Sequence, residues 1–233
     1  MKTVYKTILL FSLILNFNNI TAHDLKGAVA SEDRTPKNML RDSQRNPEET
    51  LSFFGIESDM VVVELSPGGG WYTEILANYI HYPGTLIAAH FSADSDRDYF
   101  KRIRANFEKK MSDNPMYGRV EIVDIDSNLA DQDSVDAVLT FRNLHNWLGP
   151  AMDGIFSNTF NALKPGGVFG IVEHRAKPGT SMEMMKKSGY VTEEHAIRIA
   201  EKHGFILVAS SEVNSNPKDC QSPKRGLDFA TRL

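Results

Sequence analysis

Residues 60–77 read MVVVELSPGGGWYTEILA: an apolar run that ends in an acid, then three glycines, then an amphipathic segment. The β-branched residues Val61, Val62 and Val63 favour a buried parallel strand, because such a strand is covered on both faces. The apolar residues after the glycines recur at helical spacing. Glycines lack the Cβ atoms that keep a ligand away from the backbone, and a helix start directs free N–H groups into the same crevice. The stretch therefore predicts a strand, a tight turn and a helix that can hold a nucleotide-like ligand.

The spacing of the glycines excludes two common kinds of nucleotide site. A dinucleotide fingerprint needs G-x-G-x-x-G, but counting from Gly68 gives Gly70 and then Thr73. A P-loop needs a Lys-Ser or Lys-Thr pair after the glycines, and none follows. A tight turn in some other α/β protein is the alternative to a cofactor site.

The turn resembles the first motif of the class I S-adenosylmethionine-dependent methyltransferases, in which an acid closes the first strand and glycines follow at two-residue spacing. Glu64 stands at the position of the acid. Ser66, Gly68 and Gly70 stand at the glycine positions, and Ser66 departs from the usual glycine. The resemblance implies that these four residues bind the cofactor S-adenosyl-L-methionine.

Two further segments resemble the same superfamily. Residues 134–147, SVDAVLTFRNLHNW, are similar to its fourth strand and the following loop, and residues 163–173, LKPGGVFGIVE, to its next helix end, glycine turn and fifth strand. The chain is most similar to a group of uncharacterised bacterial predicted methyltransferases with a signal peptide. Three linked motifs in this order are far more specific than one.

Strands alternate with helices along the chain, which predicts an α/β fold with a doubly wound, mostly parallel, Rossmann-like sheet. Val61 to Val63 belong to the first strand. We expect further strands at residues 85–89, 120–123, 135–141, 168–172 and 205–209. The predicted organisation is a signal peptide at 1–22, a polar N-terminal arm at 23–45, a methyltransferase-like domain at 46–212 and an atypical C-terminal tail at 213–233.

The resemblance also implies a seventh strand, antiparallel and inserted between the fifth and the sixth. The tail after the NPKD segment, residues 216–219, differs from that of the resembling proteins. Leu227, Phe229 and Thr231 alternate with polar or small residues, a pattern typical of a half-buried strand. We expect the seventh strand to be missing or degraded, residues 220–233 to be weakly paired, and the sixth strand to be the least protected.

In a doubly wound sheet the ligand lies beyond the carboxyl ends of the strands. The resemblance implies an acid there that binds the ribose, and His90 stands at that position after the second strand, with Asp94 or Asp96 as substitutes. After the third strand, Asp124 or Asp126 could bind the adenine amino group. Loop solvation or helix capping is an equal alternative for these aspartates.

The loop after the fourth strand is rich in donors, acceptors and aromatic side chains, and we expect Arg142 and Asn143 to contact the cofactor. A methylsulfonium is an activated donor, so the site has to supply alignment and sometimes a base. His145 is the candidate base, because its side chain titrates near neutral pH. A packed histidine bonded to a backbone carbonyl is the alternative.

The fifth strand ends in Glu173, His174 and Arg175, and strand alternation places the first and third of these opposite His174. Charges at the mouth of a buried strand are costly unless they are paired. We expect Glu173 and His174 to belong to the catalytic, acceptor-binding part of the site. An internal pair between Glu173 and Arg41 or Arg45 is the alternative.

Composition fits a single ordinary domain, since 233 residues of which 41% are hydrophobic can bury a sizeable core. The 26 basic and 30 acidic residues give a formal charge of −4, and no basic patch stands out, so nucleic acid is not an expected partner. Cys220 is alone and the histidines lack ligand spacing, so we expect no metal.

The N-terminus is typical of a secretory signal peptide. Lys2 and Lys6 precede an apolar stretch, residues 8–15, that is too short to span a bilayer. We expect cleavage after Ala22, or secondly after Ala30, and a periplasmic or secreted protein. A membrane tether formed by the uncleaved N-terminus is the alternative.

The sequence as a whole predicts an S-adenosylmethionine-dependent methyltransferase that acts on an unidentified, small acceptor. The alternative from a different class is an exported, non-catalytic binding protein that keeps the fold for another small molecule. A dehydrogenase is disfavoured by the glycine register.

Overall fold

A seven-stranded sheet is formed by the residues that this computed structural model describes, 24–215 and 227–232. Its strands run in the spatial order β3-β2-β1-β4-β5-β7-β6. Five neighbouring strands, from β3 to β5, are parallel, and β7 is antiparallel to both of its neighbours. The strand bounds are β1 Val61–Leu65, β2 Thr85–His90, β3 Glu121–Asp124, β4 Val135–Phe141, β5 Leu163–Glu173, β6 Ile206–Ser211 and β7 Leu227–Arg232.

Helices cover both faces of the sheet, which confirms the predicted doubly wound α/β fold. One apolar core lies between the sheet and α1, α4, α5 and α6, and a second lies between the sheet and α7, α8 and α9. The helix bounds are α1 Leu25–Val29, α2 Pro36–Met39, α3 Asp42–Arg45, α4 Pro47–Phe53, α5 Trp71–Tyr79, α6 Asp98–Asp113, α7 Pro150–Ala162, α8 Met182–Ser188 and α9 Glu193–Lys202. Two short 3-10 helices lie at Pro115–Tyr117 and Leu144–Trp147.

Strand β1 lies at the point where the strand order reverses. Its neighbours are β2 on one side and β4 on the other, and Val62 and Val63 are fully buried. The chain winds outward from β1 to β3 in one direction and from β4 to β5 in the other. A crevice therefore opens above the carboxyl ends of β1 and β4, where doubly wound sheets bind ligands.

Strand β5 differs most from its predicted bounds, beginning at Leu163 instead of residue 168. Leu163 pairs with Val135, and the ladder shifts register before Val168 pairs with Ala137. The Lys-Pro-Gly-Gly segment between these pairs reads as a turn in the sequence, because proline and glycine disfavour regular strands.

The expectation that the seventh strand is missing or degraded is wrong. Strand β7 lies between β5 and β6, and its pairs with β5 run from Arg232 opposite Val168 to Leu227 opposite Glu173. It also pairs with β6 over the length of that strand, with one irregularity between Leu207 and Ala209. A strand of six residues is sufficient, because it pairs with β6 from Ile206 to Ser211. The expectation that β6 is the least protected strand therefore loses its basis, while residues 220–226 of the predicted weakly paired tail lie outside the described residues.

The predicted polar arm is folded against the domain from its first described residue onward. It contains α1, α2 and α3, and Ala28 on α1 is buried. Arg34, which is 1% exposed, forms an ion pair of 2.7 Å with Asp42 and lies 3.9 Å from Glu74 on α5. The predicted signal peptide, residues 1–22, lies outside the described residues. Within the described ranges, no helix has the length and apolar character needed to cross a membrane.

Candidate functional site at the carboxyl ends of the strands

In the glycine turn between β1 and α5, every second residue has a left-handed backbone conformation. Ser66, Gly68 and Gly70 have φ values of 52°, 59° and 77°. Glycine adopts this region at no steric cost, whereas a residue with a Cβ, such as Ser66, pays about 1–2 kcal/mol. The Ser66 hydroxyl is also buried without a hydrogen-bond partner among the described residues. Strain and an unsatisfied polar atom at one position indicate a functional site.

His90 and Lys110 hold the carbonyl groups of this turn. The Phe91 N–H donates to His90 Nδ1 at 2.8 Å, so His90 carries its proton on Nε2 and donates it to the Gly68 carbonyl at 3.1 Å. Burial lowers the pKa of His90, which keeps the ring neutral. Lys110 Nζ donates to the Gly69 carbonyl at 2.8 Å. Among the described residues, no acceptor contacts the N–H groups of Gly68 and Gly69.

These contacts change the interpretation of His90. We expected its side chain to bind a ribose, but in the structure both of its ring nitrogens bind backbone groups. The ring is fully buried and lies 5.0 Å from the ring of Phe107 on α6. His90 therefore positions the turn.

The three glycines differ in what a side chain would meet. A Cβ at Gly68 or Gly69 would have no protein atom within 4 Å, so this part of the turn borders open space. A Cβ at Gly70 would lie 3.1 Å from the Phe107 ring and 3.4 Å from Thr73 Oγ1. A side chain at Gly70 would therefore disturb the packing of the turn against α6.

Glu64 closes β1 beneath the turn. The residue is 2% exposed, and its carboxyl group accepts a hydrogen bond of 2.5 Å from Thr73 on α5. Burial raises the pKa of Glu64 to about 7, although the Thr73 hydroxyl and the cations Lys110 and Arg45 act in the opposite direction. A buried acid poised near neutrality suits a ligand that brings a positive charge or hydrogen-bond donors.

A cavity of about 390 Å³ lies where β2 and β3 end. One wall is aromatic: Phe91 and Phe100 stack with ring centroids 4.0 Å apart. The acidic residues that line the cavity are Asp94, Asp96 and Asp126. Both predicted substitutes for His90 are thus at one cavity, together with the second candidate after β3.

Asp124, the first candidate after β3, does not line that cavity. Its carboxylate accepts a 2.9 Å hydrogen bond from Arg104 on α6. Arg104 also donates to the Phe91 carbonyl at 2.9 Å and pairs with Glu108 at 2.7 Å. The Asp124 side chain therefore serves to join β3 to α6.

The end of β4 is tied to the end of β1 by Asn143. Its side-chain amide donates to the Ser66 carbonyl at 3.1 Å and to the Phe141 carbonyl at 3.2 Å. Arg142 has a φ of 62°, and its N–H donates to the Val172 carbonyl of β5 at 2.7 Å. Both predicted residues therefore lie at the rim of the crevice, and Asn143 braces the turn from the side opposite His90.

His145 and Glu173 form a hydrogen-bonded pair at the ends of β4 and β5. The Glu173 carboxyl group is buried, lies 3.1 Å from His145 Nδ1 and accepts the N–H groups of His145 and His174 at 3.1 and 2.8 Å. A carboxylate accepts only, so the neutral imidazole carries its proton on Nδ1 and leaves Nε2 able to take another. The hydrogen bond to Glu173 raises the pKa of His145. This geometry is that of a base oriented by an acid.

The other residues at the end of β5 point elsewhere. His174 lies with its ring centroid 5.2 Å from that of Tyr190, while Arg175 pairs with Glu212 at 3.1 Å and Glu193 at 3.6 Å. Glu173 does not pair with an arginine of the arm, because its oxygens are taken by the residues named above. The structure thus brings Glu173 together with His145 and places His174 on the other side of the strand.

Sequence reasoning missed Lys110 and Arg104, which anchor α6 to the turn and to the end of β3. Both lie on α6, far along the chain from the groups that they contact. From the sequence alone, a charged residue on a helix face is interpreted as exposed to solvent. Its hydrogen-bond partner depends on how the helix packs in the folded protein.

The fold is that of known methyltransferases. No protein-family model matches the chain, and the search of curated proteins gives no match either. A methyltransferase from Aquifex aeolicus described as SAM dependent is 16% identical over 89% of this chain and 97% of its own, with a TM-score of 0.63. Geranyl diphosphate C-methyltransferase from Streptomyces coelicolor is 11% identical over 88% of this chain and 86% of its own, with a TM-score of 0.63. A glycopeptide N-methyltransferase complexed with sinefungin is 14% identical over 82% of this chain and 86% of its own, with a TM-score of 0.57.

The raised pKa of Glu64 predicts how the stability of the protein depends on pH. The folded state of the wild type holds a proton on Glu64 between pH 4.5 and about 7, where the unfolded state has lost it. The free energy of unfolding should therefore fall as the pH rises through this window. In Glu64→Gln the fall should be smaller, as measured by urea unfolding at several pH values. Glu201→Gln, an exposed acid on α9, is the matched control, and equal pH dependence in all three proteins would contradict the assignment.

The hydrogen bond between His145 and Glu173 predicts that the pKa of His145 depends on Glu173. His145 should titrate above 6.5, and its protonation stabilises the fold below pH 6.5, a contribution lost as the pH rises through the folded-state pKa. In Glu173→Gln the pKa of His145 should fall, because the carboxylate that favours the imidazolium is gone. NMR of the imidazole protons measures it. Glu183→Gln, an exposed acid on α8, should leave the value unchanged, and an unchanged value in Glu173→Gln would disprove the pairing.

Proposed function

We propose that the protein is a methyltransferase that uses S-adenosyl-L-methionine and acts on a small-molecule acceptor. The observation that carries this proposal is the glycine turn at the strand-order reversal. Its carbonyls at Gly68 and Gly69 are held by His90 and Lys110, while the N–H groups of these two glycines have no acceptor among the described residues. Such a turn can approach a ligand closely and donate hydrogen bonds to it.

The other groups at the crevice fit this cofactor. Glu64, with its pKa near neutrality, suits the amino group of the donor, and the unsatisfied Ser66 hydroxyl offers a further polar contact. The aromatic and acidic cavity after β2 and β3 suits an adenosine, whose hydroxyl and amino groups are hydrogen-bond donors to Asp94, Asp96 or Asp126. The methylsulfonium supplies the activated methyl group, so the chain has only to align the acceptor and remove its proton.

His145 is the proposed base. Its Nε2 accepts the proton of the acceptor while Glu173 holds the ring by Nδ1 and stabilises the imidazolium that forms. The backbone N–H groups of His145 and His174 fix the carboxylate in turn. A small acceptor fits the similar structures, one of which is described in complex with geranyl diphosphate. The acidic overall charge gives no support to a nucleic acid substrate.

Binding of S-adenosylhomocysteine tests the cofactor site. Gly68→Ala places a Cβ in the open space of the turn, and we expect it to weaken binding at least about tenfold by calorimetry, because the backbone can no longer approach the ligand. The same change costs stability, since alanine is strained at a φ of 59°.

Gly55→Ala is the matched control, because Gly55 has a φ of 68° and likewise no neighbour within 4 Å. It should lose similar stability and bind S-adenosylhomocysteine as tightly as the wild type. Equal affinity in wild type and Gly68→Ala, or no binding by the wild type, would overturn the proposed site. Conversion of S-adenosylmethionine to S-adenosylhomocysteine in the presence of small-molecule extracts then distinguishes an enzyme from a non-catalytic binding protein.

We also propose that the protein is exported, as in the signal-peptide-bearing bacterial group that it resembles. Support comes from the lysine-flanked apolar stretch, residues 8–15, followed by Ala22. N-terminal sequencing of the protein from a bacterial host should begin at His23. Cleavage after Ala30 would remove α1, whose Ala28 is buried, so the earlier position is expected. An intact Met1 on soluble protein from the cytosol would contradict export.

A further inference from the structure

We infer that Glu74 and Lys110 are positioning residues that couple the N-terminal arm to the glycine turn, so that docking of the arm and binding of a ligand at the turn strengthen each other. For the identity of that ligand, S-adenosyl-L-methionine, the coupling rests on the proposed function. Neither residue has to touch the ligand, because both act through the backbone of the turn.

The arm holds a buried carboxylate on α5. Glu74 is fully buried, and its carboxylate accepts the Thr35 N–H at 3.2 Å and the Thr35 hydroxyl at 2.5 Å. Arg34, also on the arm, has its Nε atom 3.9 Å from the same carboxylate. A buried charge is stable only when it is paired and hydrogen-bonded. The arm therefore supplies three polar groups that keep Glu74 charged and in one orientation.

Lys110 joins this carboxylate to the turn. Its Nζ atom lies 2.6 Å from Glu74 Oε1 and donates to the Gly69 carbonyl at 2.8 Å. Lysine carries a compact charge on a flexible stem, so a fixed partner is needed to hold its ammonium in one place. Glu74 is that partner. The hydrogen bonds thus form an unbroken chain from Thr35 on the arm, through Glu74 and Lys110, to the backbone of Gly69.

The peptide at the end of this chain has little stiffness of its own. It joins Gly69 to Gly70, and α5 begins at Trp71, directly after it. Glycine adopts positive and negative φ with similar ease, so the orientation of this peptide depends on its contacts. A contact that fixes it prepares the turn for a ligand and lowers the entropic cost of binding. By reciprocity, a ligand that needs this form of the turn favours the docked arm by the same factor.

The arm also has a contact with α5 that bypasses the chain of hydrogen bonds. The Ser31 hydroxyl donates to Asn78 Oδ1 at 2.8 Å, and it touches neither Glu74 nor Lys110. Its loss weakens docking of the arm without breaking the connection to the turn. Ser31→Ala is therefore the matched control for Thr35→Val, since each change removes one hydroxyl that joins the arm to α5.

The experiment measures the effect of Thr35→Val in two backgrounds, the wild type and Lys110→Met. Calorimetry gives the affinity for S-adenosylhomocysteine, and thermal melting verifies that each variant is folded. In the wild-type background we expect Thr35→Val to weaken binding at least about threefold, as for groups in one hydrogen-bond network. In the Lys110→Met background it should have no further effect, because the chain is already broken. A residue that only stabilises the fold would have the same effect in both backgrounds.

The reverse direction is measured by hydrogen exchange of the arm. Saturation with S-adenosylhomocysteine should slow exchange of the Met39 and Leu40 amides, which donate within the arm, by at least about threefold in the wild type. The same ligand should leave their exchange unchanged in Lys110→Met. Equal slowing in both proteins would mean that the ligand reaches the arm by another route, which overturns the coupling.

Measurements with and without ligand separate the coupling from the proposed function. Equal affinity for S-adenosylhomocysteine in the wild type, Ser31→Ala and Thr35→Val overturns the coupling and leaves the proposed function standing. In the ligand-free protein, NMR should show that Thr35→Val shifts the amide signals of Gly69 and Gly70 and that Ser31→Ala does not. If these shifts occur in a protein that does not bind S-adenosylhomocysteine, the proposed function fails while the connection between arm and turn stands.

Discussion

The hydrogen bond from His90 to the Gly68 carbonyl is the contact on which the arrangement of the site depends. It joins the end of β2 to the turn after β1, and it fixes which side of the turn presents carbonyl groups and which presents N–H groups. The ring can donate in this direction only because the Phe91 N–H occupies its other nitrogen. One buried imidazole thus converts a flexible run of glycines into a surface of defined polarity.

The sheet could be predicted from the sequence because its strands are short apolar runs bounded by polar or glycine-rich segments. Strand β4 was predicted with the bounds that the structure has, since both of its ends are marked by a change in polarity. The helices α1, α2, α3 and α8 were not predicted. They have four to seven residues, too few to show a helical period, and tertiary contacts stabilise them.

The candidate site could be predicted only as a set of residues at strand ends, because the partner of each side chain depends on register and packing. His145 and Glu173 were each named, but their pairing follows from the parallel alignment of β4 with β5, in which Phe141 lies opposite Val172. His90 and Asp124 were assigned to a ligand, whereas the backbone and Arg104 take their hydrogen bonds. The sequence does not distinguish a polar residue at a strand end that binds a ligand from one that binds another group of the protein.

The insertion of β7 between β5 and β6 sets the order in which the sheet can be completed. Strand β6 has no ladder contact with β5, and every pair that joins it to the rest of the sheet passes through β7. During synthesis, the edge of β5 and the whole of β6 therefore stay unpaired until the residues up to Arg232 have been made. An unpaired strand edge is prone to pair with other chains. The nascent protein is thus exposed to misassembly until β7 emerges, even though the crevice residues are made much earlier.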